Sequence, residues 1–388
     1  MKMVFAFITS VALSACAPYL QDLAIQPCAL LVENAPYPQA EPLARAMTEL
    51  TSSGVPGVAM AVYSPDHGWW TGAAGWAKLE DQTPMSACHL QYLQSISKTY
   101  LAVAGLQLYE QGIIKLDAPI TTYLAKTHSQ NIATAETITV RMLLNHTSGV
   151  PEYNFEPALV ASLLQHPERI LDPHSYLGYL AGKPLDFPPG SYYSYRNTNY
   201  LLLALMVDAL TGDHARYISE HIFAPLGLSN TYYRHEKNYP EYPTLMNTYW
   251  DRYSDGILEN VSQMQRNNVA SLIGDDGIIT TPVDAVKFLR GLMTGQLVST
   301  VTLLDMQVWA TDKKGAPRYG LGLAYHEINW QVAIGHTGGG IGAGCELYYY
   351  PAKNLYSFIG INLGTVTDSP LHKVAEPARD NIYVELLK

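Results

Sequence analysis

Basic residues are scarce in this chain: 24 Lys and Arg stand against 34 Asp and Glu, a net charge of −10. That balance argues against nucleic acid as a partner and against a strongly basic face for anionic lipid. Cysteine is scarce as well, with only Cys16, Cys28, Cys88 and Cys345. Setting Cys16 aside leaves an odd number without paired spacing, so at most one disulfide is possible and none is expected. The sequence lacks both His-Glu-x-x-His and Cys-x-x-Cys, so nothing among its twelve histidines points to zinc, and no metal or cofactor is expected. It also has no internal repeat. With 48% hydrophobic and 15% charged residues, the chain has the composition of a well-buried globular protein rather than a disordered one.

The first residues, MKMVFAFITSVALSAC, place a basic residue before an apolar run too short to span a bilayer, the pattern of an export signal. Leu13-Ser14-Ala15-Cys16 resembles the lipobox of bacterial lipoproteins, which implies residues 1–15 as signal peptide and Cys16 as the acylated N-terminus. Ala17 stands where inner-membrane lipoproteins usually carry aspartate. The expected location is therefore the periplasm, lipid-anchored through Cys16, at the outer membrane. The stretch from Gln26 to Pro42 carries several prolines and no periodicity, so residues 16–42 read as a tether. The remaining body, 43–388, exceeds what one core usually grows to, and two lobes are expected.

Gly57 to Tyr63 and Trp69 to Trp76 are β-type runs around the turn cluster Ser64-Pro-Asp-His-Gly68, which predicts a hairpin. Strand patterns return at Tyr319–Tyr325, Gln331–Gly335, Glu346–Tyr350 and Leu355–Asn362, and a last helix is expected from about Ser369. Between them the pattern is helical, including a helix capped by Thr281 with Pro282 at its first position. The expectation is an α+β fold: an antiparallel sheet with terminal helices, built from about 43–94 and 319–388, and a mainly helical lobe over about 95–318. Tyr348, Tyr349 and Tyr350 alternate faces, so at least one is expected to point away from the core.

Gln94 to Gly112 reads as one helix, apolar nearly all round from Leu101 to Leu108, and therefore buried. Its first turn carries Ser95 and Lys98, which share a face at i and i+3. A lysine entering a core loses basicity, and a neutral amine beside a serine at a helix start can take the hydroxyl proton and leave a nucleophile. Ser95-Ile-Ser-Lys98 is the sole Ser-x-x-Lys in the chain.

Two further clusters accompany it, Tyr195-Arg196-Asn197 and His336-Thr337-Gly338-Gly339. A Ser-x-x-Lys, a Tyr-x-Asn and a His-Thr-Gly in this order resemble the serine beta-lactamase and penicillin-binding-protein superfamily, in the branch of class C beta-lactamases and D-alanyl-D-alanine carboxypeptidases. Leu143–Pro151, Lys115–Leu124, Pro225–Leu228 and Gly277–Asp284 are similar to that family's segments in the same order. The resemblance implies that Ser95 is acylated and that Lys98 serves as base or as a charge. Tyr195 would be a second proton carrier, its phenolate favoured by Lys98 and His336 or its hydroxyl relaying a proton. Asn197 would bind the substrate's amide, Thr337 a substrate carboxylate, and the N–H groups of Ser95 and Gly339 an oxyanion.

Two departures bear on substrate. Arg196 replaces the usual serine; turned inward it adds a cation, and turned outward, the orientation expected here, it is solvated. His336 replaces lysine, and a histidine titrating near 6.5 would lose its hold on a carboxylate as pH rises. The resulting expectation is a serine D,D-peptidase acting on peptidoglycan stem peptides. The same machinery on a β-lactam, an ester or an N-terminal D-amino acid is the alternative, and a catalytically silent binding lipoprotein is the alternative of another class.

Overall fold

The structure, a computed structural model, describes residues 25–30, 32–233 and 242–388. The export segment and Cys16 lie outside the described residues. The main sheet has nine strands: β1 Gly57–Ser64, β2 Gly68–Lys78, β3 Thr83–Pro84, β4 Ala310–Thr311, β5 Pro317–Tyr319, β6 Ala324–Ile328, β7 Gln331–Gly339, β8 Gly344–Tyr350 and β9 Leu355–Ile361. Their spatial order is β3-β2-β1-β9-β8-β7-β6-β5-β4, with every pair antiparallel. The two ends of the chain thus meet at the centre, where Val58 pairs with Ile361 and Tyr63 with Tyr356.

Helix α1 Ala40–Ser52 and the C-terminal helix Pro370–Leu386 cover the outer face. On β1 the large residues Val58, Met60 and Val62 pack there. Ala61 faces the opposite way, into the larger core cluster that also holds the middle of the chain. Both faces being covered, β1 reads as a continuous apolar run. The same cover explains the tyrosine triplet. Tyr348 and Tyr350 pack in the outer cluster, while Tyr349, on the other face, is half-buried and stacks on Tyr356 at 4.6 Å against the inner one.

The middle of the chain supplies α2 Ser97–Glu110, α3 Val140–Leu144, α4 Asn197–Thr211 and α5 Pro282–Met293, and the C-terminal helix Pro370–Leu386 is α6. Leu101, Ala102, Val103, Ala104 and Leu106 of α2 are all fully buried, as its all-round apolarity demands. Thr281 caps α5 and Ser369 caps α6 through their side chains.

Four expectations need correction. Gln94–Ile96 is a 3₁₀ turn rather than the first turn of α2, because Gln94 takes a left-handed φ of 49° and Ser97 Oγ is occupied by the Ile278 N–H at 3.1 Å. The run Tyr319–Tyr325 is two strands, since Gly322 at φ 85° turns the chain toward α2, where Thr99 Oγ1 donates to its carbonyl. Cys28 and Cys88 form a disulfide, so the expectation of none fails; spacing could not reveal the pair because the fold brings the two together across 60 residues. Much of the presumed tether lies against the body. Gln26 N–H bonds the Pro243 carbonyl, Asn34 holds Thr71, Tyr37 stacks on Trp70, and α1 begins at Ala40.

Candidate active site

Ser95 stands in the 3₁₀ turn just before α2, partly exposed, while Lys98 one turn on is fully buried. Lys98 Nζ donates to Ser95 Oγ at 2.9 Å and to the main-chain carbonyl of Asp275 at 2.7 Å. Burial pulls the ammonium down to about 8, with Asp275, Asp276 and Glu152 pushing back. These acids are buried in turn: burial raises Asp275 to about 6, raises Asp276 to about 7, and moves Glu152 in the same direction. Tyr153 donates its hydroxyl to Asp275 Oδ2 at 2.8 Å.

Tyr195 lies across from the pair, its ring centroid 5.0 Å from Lys98 Nζ. Its hydroxyl is buried and faces Ser95, whose side chain draws the phenol down against the larger effect of burial. Burial pushes this phenol well above the ordinary tyrosine range, against the expectation of a cation-favoured phenolate. Asn197 opens α4, and its N–H is held by Glu152 Oε2 at 2.6 Å. Arg196 turns away from Lys98 to Asp186 at 2.9 Å and to the Tyr195 carbonyl, so it is paired rather than simply solvated.

His336 departs furthest from expectation. It is 4% exposed on β7, Nε2 bonds the Tyr319 hydroxyl at 2.8 Å, and burial with Lys98 nearby lowers it to about 3. It is neutral across the whole physiological range, so the predicted fade of a cationic histidine with rising pH does not arise. Thr337 points to the opposite face of β7, where with Gly339, Thr365 and His372 it lines a cavity of about 450 Å³ under α6.

The edge of β7 beside Ser95 is open. Pairing with β6 ends at Ala324 and Gly335, while pairing with β8 continues to Gly339. Gly340 N–H donates toward the β8 side, to the Ala343 carbonyl, so the Gly339 N–H one residue earlier faces the open edge. A chain or acyl group laid along that edge would meet a main-chain donor next to the nucleophile.

The beta-lactamase family model matches residues 43–373. The chain belongs to the beta-lactamase family. It is a serine hydrolase of the beta-lactamase and penicillin-binding-protein superfamily with the matching α+β fold of helices and an antiparallel sheet. Its relatives include penicillin-binding protein 4* of Bacillus subtilis, 29% identical over 174 residues, or 43% of this chain and 36% of that protein. The D-aminopeptidase of Brucella anthropi is 27% identical over 305 residues, 76% of this chain and 53% of that protein. The chain thus spans about a third to a half of the length of these curated relatives. Among solved structures, a D-stereospecific amidohydrolase from Streptomyces sp. superposes with a TM-score of 0.76 at 25% identity, covering 88% of this chain and 98% of that one.

Sequence reasoning missed Glu152, Asp275, Asp276, His146 and Tyr319. The first and fourth lie in the Leu143–Pro151 segment or next to it, and the acids directly precede Gly277–Asp284. Both segments stand out as family-like, but their partners become visible only when the fold brings Lys98 between them.

Proposed function

We propose that this hydrolase cleaves amide bonds by acyl transfer to Ser95, on substrates whose acyl half is D-configured and carries a free amino group. The carrying observation is the buried Lys98, bonded at once to Ser95 Oγ and to the Asp275 carbonyl. With its basicity lowered, Lys98 takes the Ser95 proton as the hydroxyl attacks, and the oxyanion forms between the N–H groups of Ser95 and Gly339. Lys98 passes that proton through Tyr195 to the leaving amine, and in the return step the same pair takes the proton of the attacking water and gives it back to Ser95 Oγ.

The end of the substrate follows from charge. His336 brings none, and Arg196 and Arg318 are committed to Asp186 and Asp312. Glu152, whose oxygens accept the Asn154 and Asn197 N–H groups, sets a buried carboxyl beside Lys98. This supports an ammonium over the carboxylate that a D,D-carboxypeptidase must hold, and the relatives include both a D-aminopeptidase and putative D-alanyl-D-alanine carboxypeptidases.

Intact-mass spectrometry and turnover of wild type and Ser95→Ala separate the readings. D-alanine p-nitroanilide should be hydrolysed by the wild type alone, and faster than an acetylated D-alanyl-D-alanine peptide. Faster release of D-alanine from the acetylated peptide would return the carboxypeptidase reading. A penicilloyl adduct that forms and decays with drug hydrolysis would make the protein a lactamase, and turnover by Ser95→Ala would end the acyl-serine mechanism altogether.

A further inference from the structure

The segment Asn145-His146-Thr147-Ser148-Gly149 follows α3, and the mechanism above uses none of it. His146 within it is fully buried and takes a left-handed φ of 59°, a conformation side chains rarely adopt. Its contacts converge on one neighbour. The His146 carbonyl accepts the Ser194 N–H at 2.9 Å, and Nδ1 accepts the Arg196 N–H at 3.3 Å. These are the residues directly before and after Tyr195. The imidazole itself lies against the Tyr195 ring, with centroids 4.4 Å apart and planes tilted by 38°.

The histidine is itself locked. Asn199 Oδ1 accepts the Ser148 hydroxyl at 2.5 Å, which turns the Asn199 amide nitrogen toward His146 Nδ1 at 3.0 Å. Two donors on Nδ1 leave its lone pair occupied, so the ring proton sits on Nε2. Nε2 is buried and has no hydrogen-bond partner among the described residues. On its other sides the ring meets Tyr319 at 4.6 Å and Tyr200 at 5.2 Å between centroids, and Tyr319 is the residue that holds His336.

We propose that His146 is the positioning residue of Tyr195, a clamp that grips the main chain on both sides of the tyrosine and presses a ring against its side chain so that the phenol stays over Lys98. The left-handed backbone serves this grip, because it is what lets one residue offer its carbonyl to Ser194 and its ring nitrogen to Arg196. The inference rests on the acyl-Ser95 reading, in which Tyr195 passes a proton.

The test is a double-mutant cycle on D-alanine p-nitroanilide. Asparagine tolerates the left-handed backbone and keeps an acceptor near Nδ1 but removes the ring, so His146→Asn should fold with a lower melting temperature from the cavity it leaves. Its kcat should fall on the order of ten- to a hundredfold, with KM moving by less than about threefold. In a Tyr195→Phe background the same substitution should change kcat by less than about twofold, because its effect runs through the tyrosine. Additive losses, or an unchanged kcat in His146→Asn, would overturn the clamp. Should His146→Asn fail to fold, Asn199→Ala removes one donor from Nδ1 and enters the same cycle, where additivity or an unchanged kcat again overturns the clamp. If the wild type turns over no amide at all, the amide-hydrolase reading has failed. The clamp is then read from the ζ-¹³C tyrosine resonance assigned by Tyr195→Phe, which should move in His146→Asn; an unmoved resonance refutes it.

Discussion

Lys98 reaches its nucleophile as an ammonium whose charge has almost nowhere to go. Desolvation weakens it, and three carboxyls restrain the weakening. Below about 8 the amine is largely protonated and cannot accept the Ser95 proton, so acylation should rise with pH and level off above about 8, less steeply than tenfold per unit because Asp275 and Asp276 titrate in the same range. Asp276 raises the lysine's affinity for its proton, so Asp276→Asn should shift that midpoint to lower pH. Stopped-flow acylation across pH 5.5 to 10 reads both; a flat profile, or a midpoint that moves upward in the variant, would remove Lys98 from the role of base. At this scale the sequence is legible where chemistry is local. Ser95 and Lys98 are one helical turn apart and declare themselves. The neutrality of His336 is not legible, because it depends on burial and on the approach of Lys98 from another element, neither of which spacing encodes.

Among the elements, the open edge of β7 is what turns a sheet into a site, and it exists because β6 starts late. The chain leaves the sheet after Tyr319, reaches over to α2 at Gly322, and returns only at Ala324. The hairpin, the cap of α5 and the start of α6 are all readable, since each is written in a few adjacent residues. The late start of β6 is not, as it is set by where α2 lies. Gly338 shows how closely β7 is drawn to the nucleophile's turn. A Cβ there would stand 2.3 Å from the Leu93 carbonyl and 2.8 Å from Gln94 Cβ, the residue before Ser95. Gly338→Ala should therefore force β7 and the Gln94–Ile96 turn apart, costing about 1–3 kcal/mol of stability and lowering kcat more than the stability loss explains. Denaturant unfolding alongside single-turnover acylation checks this; a variant with full acylation rate would mean that the spacing of strand and turn is not critical.

For the molecule as a whole, the sheet joins the two ends of the chain and the core runs unbroken from the inner face of that sheet into the helices. A fold closed this way depends on holding its N-terminal arm, whose proline-rich, aperiodic sequence reads as a free tether. The arm is fixed by the Cys28–Cys88 disulfide at one end and by Asn34 and Tyr37 against β2 at the other. Cys88 lies seven residues before Ser95, so the same bridge steadies the loop leading to the nucleophile. In the chain-entropy account, closing a loop of this length removes about 4 kcal/mol of freedom from the unfolded chain. Replacing both cysteines by serine should thus lower the unfolding free energy by about 2–4 kcal/mol, measured by urea titration under non-reducing conditions. The reduced wild type should fall to the same midpoint. A double variant within about 0.5 kcal/mol of the oxidised protein would show that the arm is held by its hydrogen bonds and by Tyr37 alone, and that the bridge contributes no stability of its own.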